Sequence, residues 1–158
     1  METETKAIVF QLNNEEYGVE IMQVRSIEKM QPITRVPKAP DFVKGVINLR
    51  GVVTPIVDLR RRFSFDEIEE TEETRIIIVH VDGTEVGLIV DGASDVIDLS
   101  EEQIEPPSDL VGGVKAEYLR GVANLEDRLL IMLNLKKVLN PGEIAELREF
   151  EESENDVV

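Results

Sequence analysis

Few side chains in this sequence have the type and spacing that catalysis needs. His80 is the only histidine, set inside the apolar stretch IIIVHV (76–81). An imidazole becomes a base or a metal ligand when a partner orients it, and no second histidine stands nearby. His80 therefore reads as a packed or surface residue. Cysteine is absent, which removes disulfides and thiolate metal sites. No HxxxH or His–carboxylate cluster suggests a metal. There is no P-loop, no GxGxxG between a strand and a helix, and no GxSxG elbow. Asp91 of VDG (90–92) and Asp95 of SDV (94–96) tempt as a site, but Asp and Gly in this setting serve turns. The remaining carboxylates lie in solvated runs rather than as a tuned acid–base pair. Aromatics make up 4% of the chain, too few for a platform that stacks bases or sugars. The expectation is a non-enzymatic protein without cofactor or metal, built to present surfaces.

Charge says which surfaces. The net charge of −16 argues against nucleic acid and against an anionic membrane. Yet residues 25–62 hold nine basic residues and three acidic ones, a local +6 that leaves −22 on the rest. Such an island can orient a partner with an acidic surface, or it can be ordinary solvated strand and loop. Arg60, Arg61 and Arg62 within it read as a solvated turn flank.

The elements that must position these residues come in two copies. GVINLRGVVTPIVDLRRRF (45–63) aligns without a gap on GVANLEDRLLIMLNLKKVL (121–139). AIVFQLNNEEYGVEI (7–21) aligns on IIIVHVDGTEVGLIV (76–90), with Glu16/Glu85 and Gly18/Gly87 in register. A repeat occurring twice in the same order implies two similar subdomains. Arg50-Gly51 in the first copy is Glu126-Asp127 in the second, so this difference points to function. Gly45 and Asn48 recur as Gly121 and Asn124, which favours a turn the fold itself needs.

Period-two patterns and short apolar runs predict β-structure. Strands are expected over 7–12 and 16–21 around an Asn13-Asn14 turn, and over 76–81 and 86–90 around Asp82-Gly83. Further strands are expected over 43–49 and 52–59, the second an edge strand because of Pro55. Gly18 and Gly87 mark a bulge or a close approach. One helical turn follows at 59–63 and at 135–139, with Asp58 and Asn134 as N-caps. Residues 31–41 and 105–113 are loops, and 66–73 (DEIEETEE) is an exposed acidic linker. A C-terminal helix is expected over 143–152, with Ile144, Leu147 and Phe150 on one face. At 158 residues the chain reads as one domain with approximate subdomains 7–65 and 74–139, strand exchange between them being allowed. Each half is near the lower size limit for its own core, so the two should share apolar surface. The fold class is all-β: two small barrels packed on each other. METETKAIVF lacks a signal-peptide pattern and no run is long enough to span a bilayer, so a cytoplasmic protein without direct membrane insertion is expected.

EEYGVEIMQVRSI (15–27), FVKGVINLRGVVTPIVDLRRRF (42–63), VGLIVDGASDVI (86–97) and YLRG (118–121) resemble the CheW-like family of bacterial chemotaxis coupling proteins. The resemblance runs from about residue 6 to 150, with Ala93 standing where Val is common. It implies two SH3-like five-stranded barrels. It further implies an adaptor that binds the regulatory domain of the histidine kinase CheA and the cytoplasmic tip of methyl-accepting chemoreceptors. By matching motif, Val24, Ile27, Gly45, Asn48, Arg50, Gly87 and Val96 would form or support the receptor groove. Ile8, Ile21 and Val52 would belong to the kinase-facing surface. Val24, Ile27 and Val96 read equally as core residues; exposed, they would make an apolar strip for a partner helix. Two alternatives stay open: an adaptor of another chemosensory system, and a β-barrel module binding a small ligand.

Overall fold

The computed structural model describes residues 4–107, 110–111, 114–139 and 142–143. Thirteen strands are described: β1 (Glu4–Leu12), β2 (Glu15–Glu20), β3 (Val24–Lys29), β4 (Val43–Leu49), β5 (Val52–Asp58), β6 (Arg75–Val81), β7 (Thr84–Val90), β8 (Gly92–Ser100), β9 (Ile104–Glu105), β10 (Leu110–Val111), β11 (Val114–Lys115), β12 (Leu119–Leu125) and β13 (Arg128–Leu133). Two single-turn helices, α1 (Leu59–Arg62) and α2 (Leu135–Val138), follow β5 and β13. The C-terminal helix expected over 143–152 lies outside the described residues, apart from position 143.

Three hairpins turn on paired residues with positive φ, as two-residue turns that match strand twist require. They are Asn13-Asn14 (52° and 67°), Arg50-Gly51 (52° and 85°) and Asp82-Gly83 (48° and 80°). Glu126 and Asp127 are not among the positive-φ residues, so the two copies of the 45–63 segment turn differently.

The strands form a six-stranded sheet, β8-β1-β2-β13-β12-β9, and a five-stranded sheet, β3-β6-β7-β5-β4. The strands are therefore not divided between the sheets at the acidic linker into 7–65 and 74–139. The five-stranded sheet takes the strands between residues 24 and 90, the six-stranded sheet takes β1 and β2 together with β8, β9, β12 and β13, and β10 and β11 pair with each other as a separate two-stranded ladder. The chain crosses between sheets at Ile21–Gln23, a 3-10 turn, and returns at Asp91. Each sheet thus joins the upstream part of one repeat copy to the downstream part of the other. The seams are the two parallel pairings, β2 with β13 (Tyr17↔Ile131, Gly18↔Met132) and β5 with β7 (Ile56↔Gly87, Val57↔Leu88).

Alternation along the strands distributes the apolar residues among three cores. Ile8, Phe10, Leu12, Tyr17 and Val19 of the larger sheet meet Val57, Ile77, Val79, Val86 and Leu88 of the smaller one in a core that both share. The opposite faces fill each sheet's own interior: Ala7, Val9, Leu99, Ala123, Leu130 and Met132 in one, Ile47, Ile56, Ile76 and Ile78 in the other.

Pro55 is not at an edge, since β5 lies between β7 and β4. It stands opposite Val46, whose N–H and C=O both bond to Thr34 on the other side (2.8 and 2.9 Å). The partner of Val46 on β5 is therefore not called on to donate. The described pairing with β7 begins only at Ile56. Asp58 caps α1 as expected, its Oδ1 accepting from Arg60 N at 3.0 Å. Asn134 makes no such side-chain bond; its carbonyl accepts from Lys137 and Val138.

Candidate functional site

Within the basic triplet 60–62, Arg61 is exposed as a solvated flank would be, but Arg60 and Arg62 are largely buried. The Arg60 guanidinium grips both oxygens of Asp91, Nε to Oδ1 at 2.9 Å and Nη2 to Oδ2 at 2.7 Å. Asp91 Oδ2 also accepts from Asn13 N in the β1–β2 turn at 2.8 Å. The hydrogen bond to Asp91 raises the Arg60 pKa above the usual guanidinium value, against the opposing effect of desolvation. Asp91 therefore fastens α1 of the smaller sheet to a hairpin of the larger one where the chain crosses over. Arg62 donates to Val138 O (2.8 Å), pairs with Glu143 (2.7 Å) and lies over the rings of Phe42 and Tyr118. Arg61 pairs with Glu67 of the linker. Spacing alone does not reveal the ties of Arg60 and Arg62, because their partners Asp91, Val138 and Glu143 are distant in sequence.

Among the described residues, no group of His, Asp and Glu is placed to hold a metal ion. His80 lies half-buried on β6 opposite Glu85.

Of the residues assigned to the receptor groove, Ile27 and Val96 are exposed, 42% and 51%. Ile27 pairs with Ile77 and Val96 with Ile8, both of the shared core. Directly opposed residues share a face, so each edge strand, β3 and β8, carries an apolar side chain out along the rim of the core between the sheets. The two positions are equivalent: the register that aligns Gly18 with Gly87 also aligns Ile27 with Val96. Val24 is half-buried against the same core. Arg50 sits at the tip of the β4–β5 hairpin, its side chain 72% exposed and 3.5 Å from Glu28 of β3. Glu28, opposite Ile76, belongs to the other face of β3 from Ile27.

Three assigned positions are held by the fold. A Cβ on Gly87 would come within 2.5 Å of Ile56 Cδ1 and 2.7 Å of Ile76 Cγ2, so Gly87 lies inside the smaller sheet and not on a groove wall. Gly18, its equivalent, faces Met132 Sδ at 2.7 Å in the same way. Gly45 has φ +149° and would place a Cβ 2.2 Å from Thr34 O; Gly121 is packed alike against Glu105 O. Asn48 Oδ1 accepts from Gly51 N at 2.8 Å and stabilises the hairpin that displays Arg50.

Of the residues assigned to a kinase surface, Val52 is 41% exposed beside Arg50 and Ile21 is half-buried in the first crossover. Ile8 is 5% exposed and belongs to the shared core. Alternation along β1 turns Ile8 toward this core, where it pairs with the exposed Val96 of β8. Met22 in the crossover turn is 89% exposed, a position that no sequence periodicity marks.

The CheW-like domain profile matches residues 6–143. The chain is 45% identical over 140 residues to the chemotaxis protein CheW of Bacillus subtilis, covering 89% of this chain and 90% of that one. It is 41% identical over 138 residues to CheW of Klebsiella aerogenes, covering 87% and 83%. The crystal structure of the scaffolding protein TtCheW from Thermoanaerobacter tengcongensis superposes with a TM-score of 0.81 at 35% identity, covering 89% of this chain and 91% of that one. With its two β-sheets, its exposed apolar rim and this similarity along most of its length, the chain belongs to the CheW-like domain family of non-enzymatic chemotaxis coupling adaptors.

Proposed function

We propose that this adaptor binds the regulatory domain of the histidine kinase CheA with one surface and the cytoplasmic tip of methyl-accepting chemoreceptors with another, in the cytoplasm beneath the receptor array. The observation that carries the receptor surface is the pair Ile27 and Val96. They are exposed at equivalent positions of the two edge strands, each continuing the core shared by the sheets. A helical partner laid along this rim buries apolar area at both positions. Arg50 supports the reading through its backbone. Its turn position favours Asn or Gly, so an arginine at φ 52° holds an unfavourable conformation while its guanidinium stays in solvent. Strain of this kind is retained where the side chain has work outside the fold, and a planar guanidinium suits a carboxylate on a partner. Val52 and Ile21 are the residues left for the kinase surface.

Calorimetric titration against a purified CheA regulatory domain and a purified receptor tip tests the reading. Ile27→Glu and Val96→Glu are expected to weaken tip binding about tenfold or more while kinase binding persists. Arg50→Gly is expected to weaken tip binding and to leave the melting temperature unchanged or higher, since glycine relieves the positive φ. Val52→Glu is expected to act on kinase binding instead. A folded sample that binds neither partner would end this proposal.

A further inference from the structure

The proposed surfaces leave unused a cluster of cations that form no ion pair among the described residues. Residues 33–44 wall a cleft of about 720 Å3 that also reaches Arg61. Its charged lining is Arg35, Lys38, Lys44 and Arg61 against Asp41 alone, and the half-buried Ile33 and Val36 add apolar surface to it. Arg61 is engaged with Glu67. Arg35, Lys38 and Lys44 are exposed and form no ion pair among the described residues, in a chain whose acidic residues outnumber its basic ones 33 to 17. In so acidic a chain, three cations without an ion pair around one concavity favour an anionic partner, and Lys44 stands at its border with a neighbouring cleft that holds Asp58, Glu69, Glu70 and Asp91.

The backbone makes a second, independent point. Ala39 N bonds to Val36 O, closing a turn with Pro37 at its second position and Lys38 at its third. Lys38 has φ 65°. A turn with proline followed by a positive φ takes Gly or Asn at that third place. Lysine there is the costlier choice for the fold, and it directs an ammonium to the cleft. Pro37 and Pro40 on either side restrict the loop before any partner arrives, which lowers the entropy lost on docking.

We infer that this cleft is a docking site for an acidic, extended peptide segment of a partner protein, whose carboxylates meet Arg35, Lys38 and Lys44 while its apolar side chains rest on Ile33 and Val36. The site is separate from the rim at Ile27 and Val96, and its test does not depend on the receptor or kinase reading. Fluorescence anisotropy with a labelled oligoglutamate peptide, at low and at physiological salt, measures it on the full chain, with oligoglutamine as the uncharged control. Binding of oligoglutamate alone, weakening as salt rises, is expected. Arg35→Ala with Lys44→Ala should reduce affinity at least about fivefold. Lys38→Gly should also weaken binding while the melting temperature holds or rises, a combination that a merely structural lysine does not give. Absence of oligoglutamate binding at low salt, or binding indifferent to these substitutions, would overturn the inference. So would tripolyphosphate competing at far lower concentration than free oligoglutamate, which would make the cleft a phosphate site instead.

Discussion

Tyr17 is completely buried, stacked on Phe10 with ring centroids 5.6 Å apart, and its hydroxyl has no hydrogen-bond partner among the described residues. Burial, and secondarily the Glu15 carboxylate, pushes its pKa up to about 12. A buried hydroxyl without a partner costs about 1 kcal/mol or more, so Tyr17→Phe is expected to stabilise the protein by about 1 kcal/mol in urea denaturation. The pH dependence has a definite sign. The unfolded phenol ionises near 10, below the folded value, so the unfolded state loses this proton first. The stability tied to the neutral phenol is complete below about pH 10 and declines as pH rises toward 12. Tyr17→Phe should flatten that decline; an unchanged slope between wild type and variant would show that other groups cause it.

At the scale of elements, the paired glycines explain how strands approach closely enough to form the seams. Gly18 and Gly87 are in the parallel pairings, and each faces a side chain of the strand alongside. Gly87→Ala must displace Ile56 and Ile76 inside the smaller sheet, and overpacking of this kind costs about 1–3 kcal/mol. Thermal unfolding should show the loss. Any drop in partner binding by this variant should scale with the unfolded fraction, because Gly87 has no surface to offer. A full melting temperature combined with lost receptor binding would instead make Gly87 a contact residue. The edge strands β3 and β8 behave otherwise: their exposed Ile27 and Val96 add little to the fold, so substitutions there belong to binding.

Across the whole molecule, the two sheets are held by the shared core and by an ion pair where the chain changes sheet. Within the larger sheet, Arg128 of β13 grips Glu16 of β2 at 2.6 and 3.0 Å beside its seam. Asp91 joins Arg60 and Asn13 at the return crossover, with side chains only 12% (Arg60) and 22% (Asp91) exposed. Removing one member of such a pair leaves the other charge without its partner, so Asp91→Asn should cost about 2–3 kcal/mol in chemical denaturation. The loss should persist at high salt, since screening acts weakly on a largely buried pair. A cost under about 0.5 kcal/mol would mean that the crossover is held by core packing alone. Because each sheet draws on both repeat copies, separate expression of 7–65 and 74–139 is not expected to give two folded halves: each would lack the strands that complete its sheet.

The sequence by itself determined the strands β1, β2, β4, β5, β6 and β7, their hairpin turns, the doubling and the absence of an active-site pattern, but not the edge strands β3 and β8, whose residues lack a clean alternation. What it determined follows from alternation, turn residues and internal register, all local or directly comparable along the chain. It also showed that Gly45 and Asn48 recur with their repeat, which fits the backbone roles seen at both. Only the tertiary structure decided which copy pairs with which. Parallel seams between strands distant in sequence leave no local mark, and a cut at the acidic linker looks natural until the crossovers at Ile21–Gln23 and Asp91 are seen. The same holds for Arg60 and Arg62, whose anionic partners stand far along the chain, and for Ile8 against Val96. Both are apolar residues in strands, and only the stacking of one sheet on the other buries the first and leaves the second at the rim.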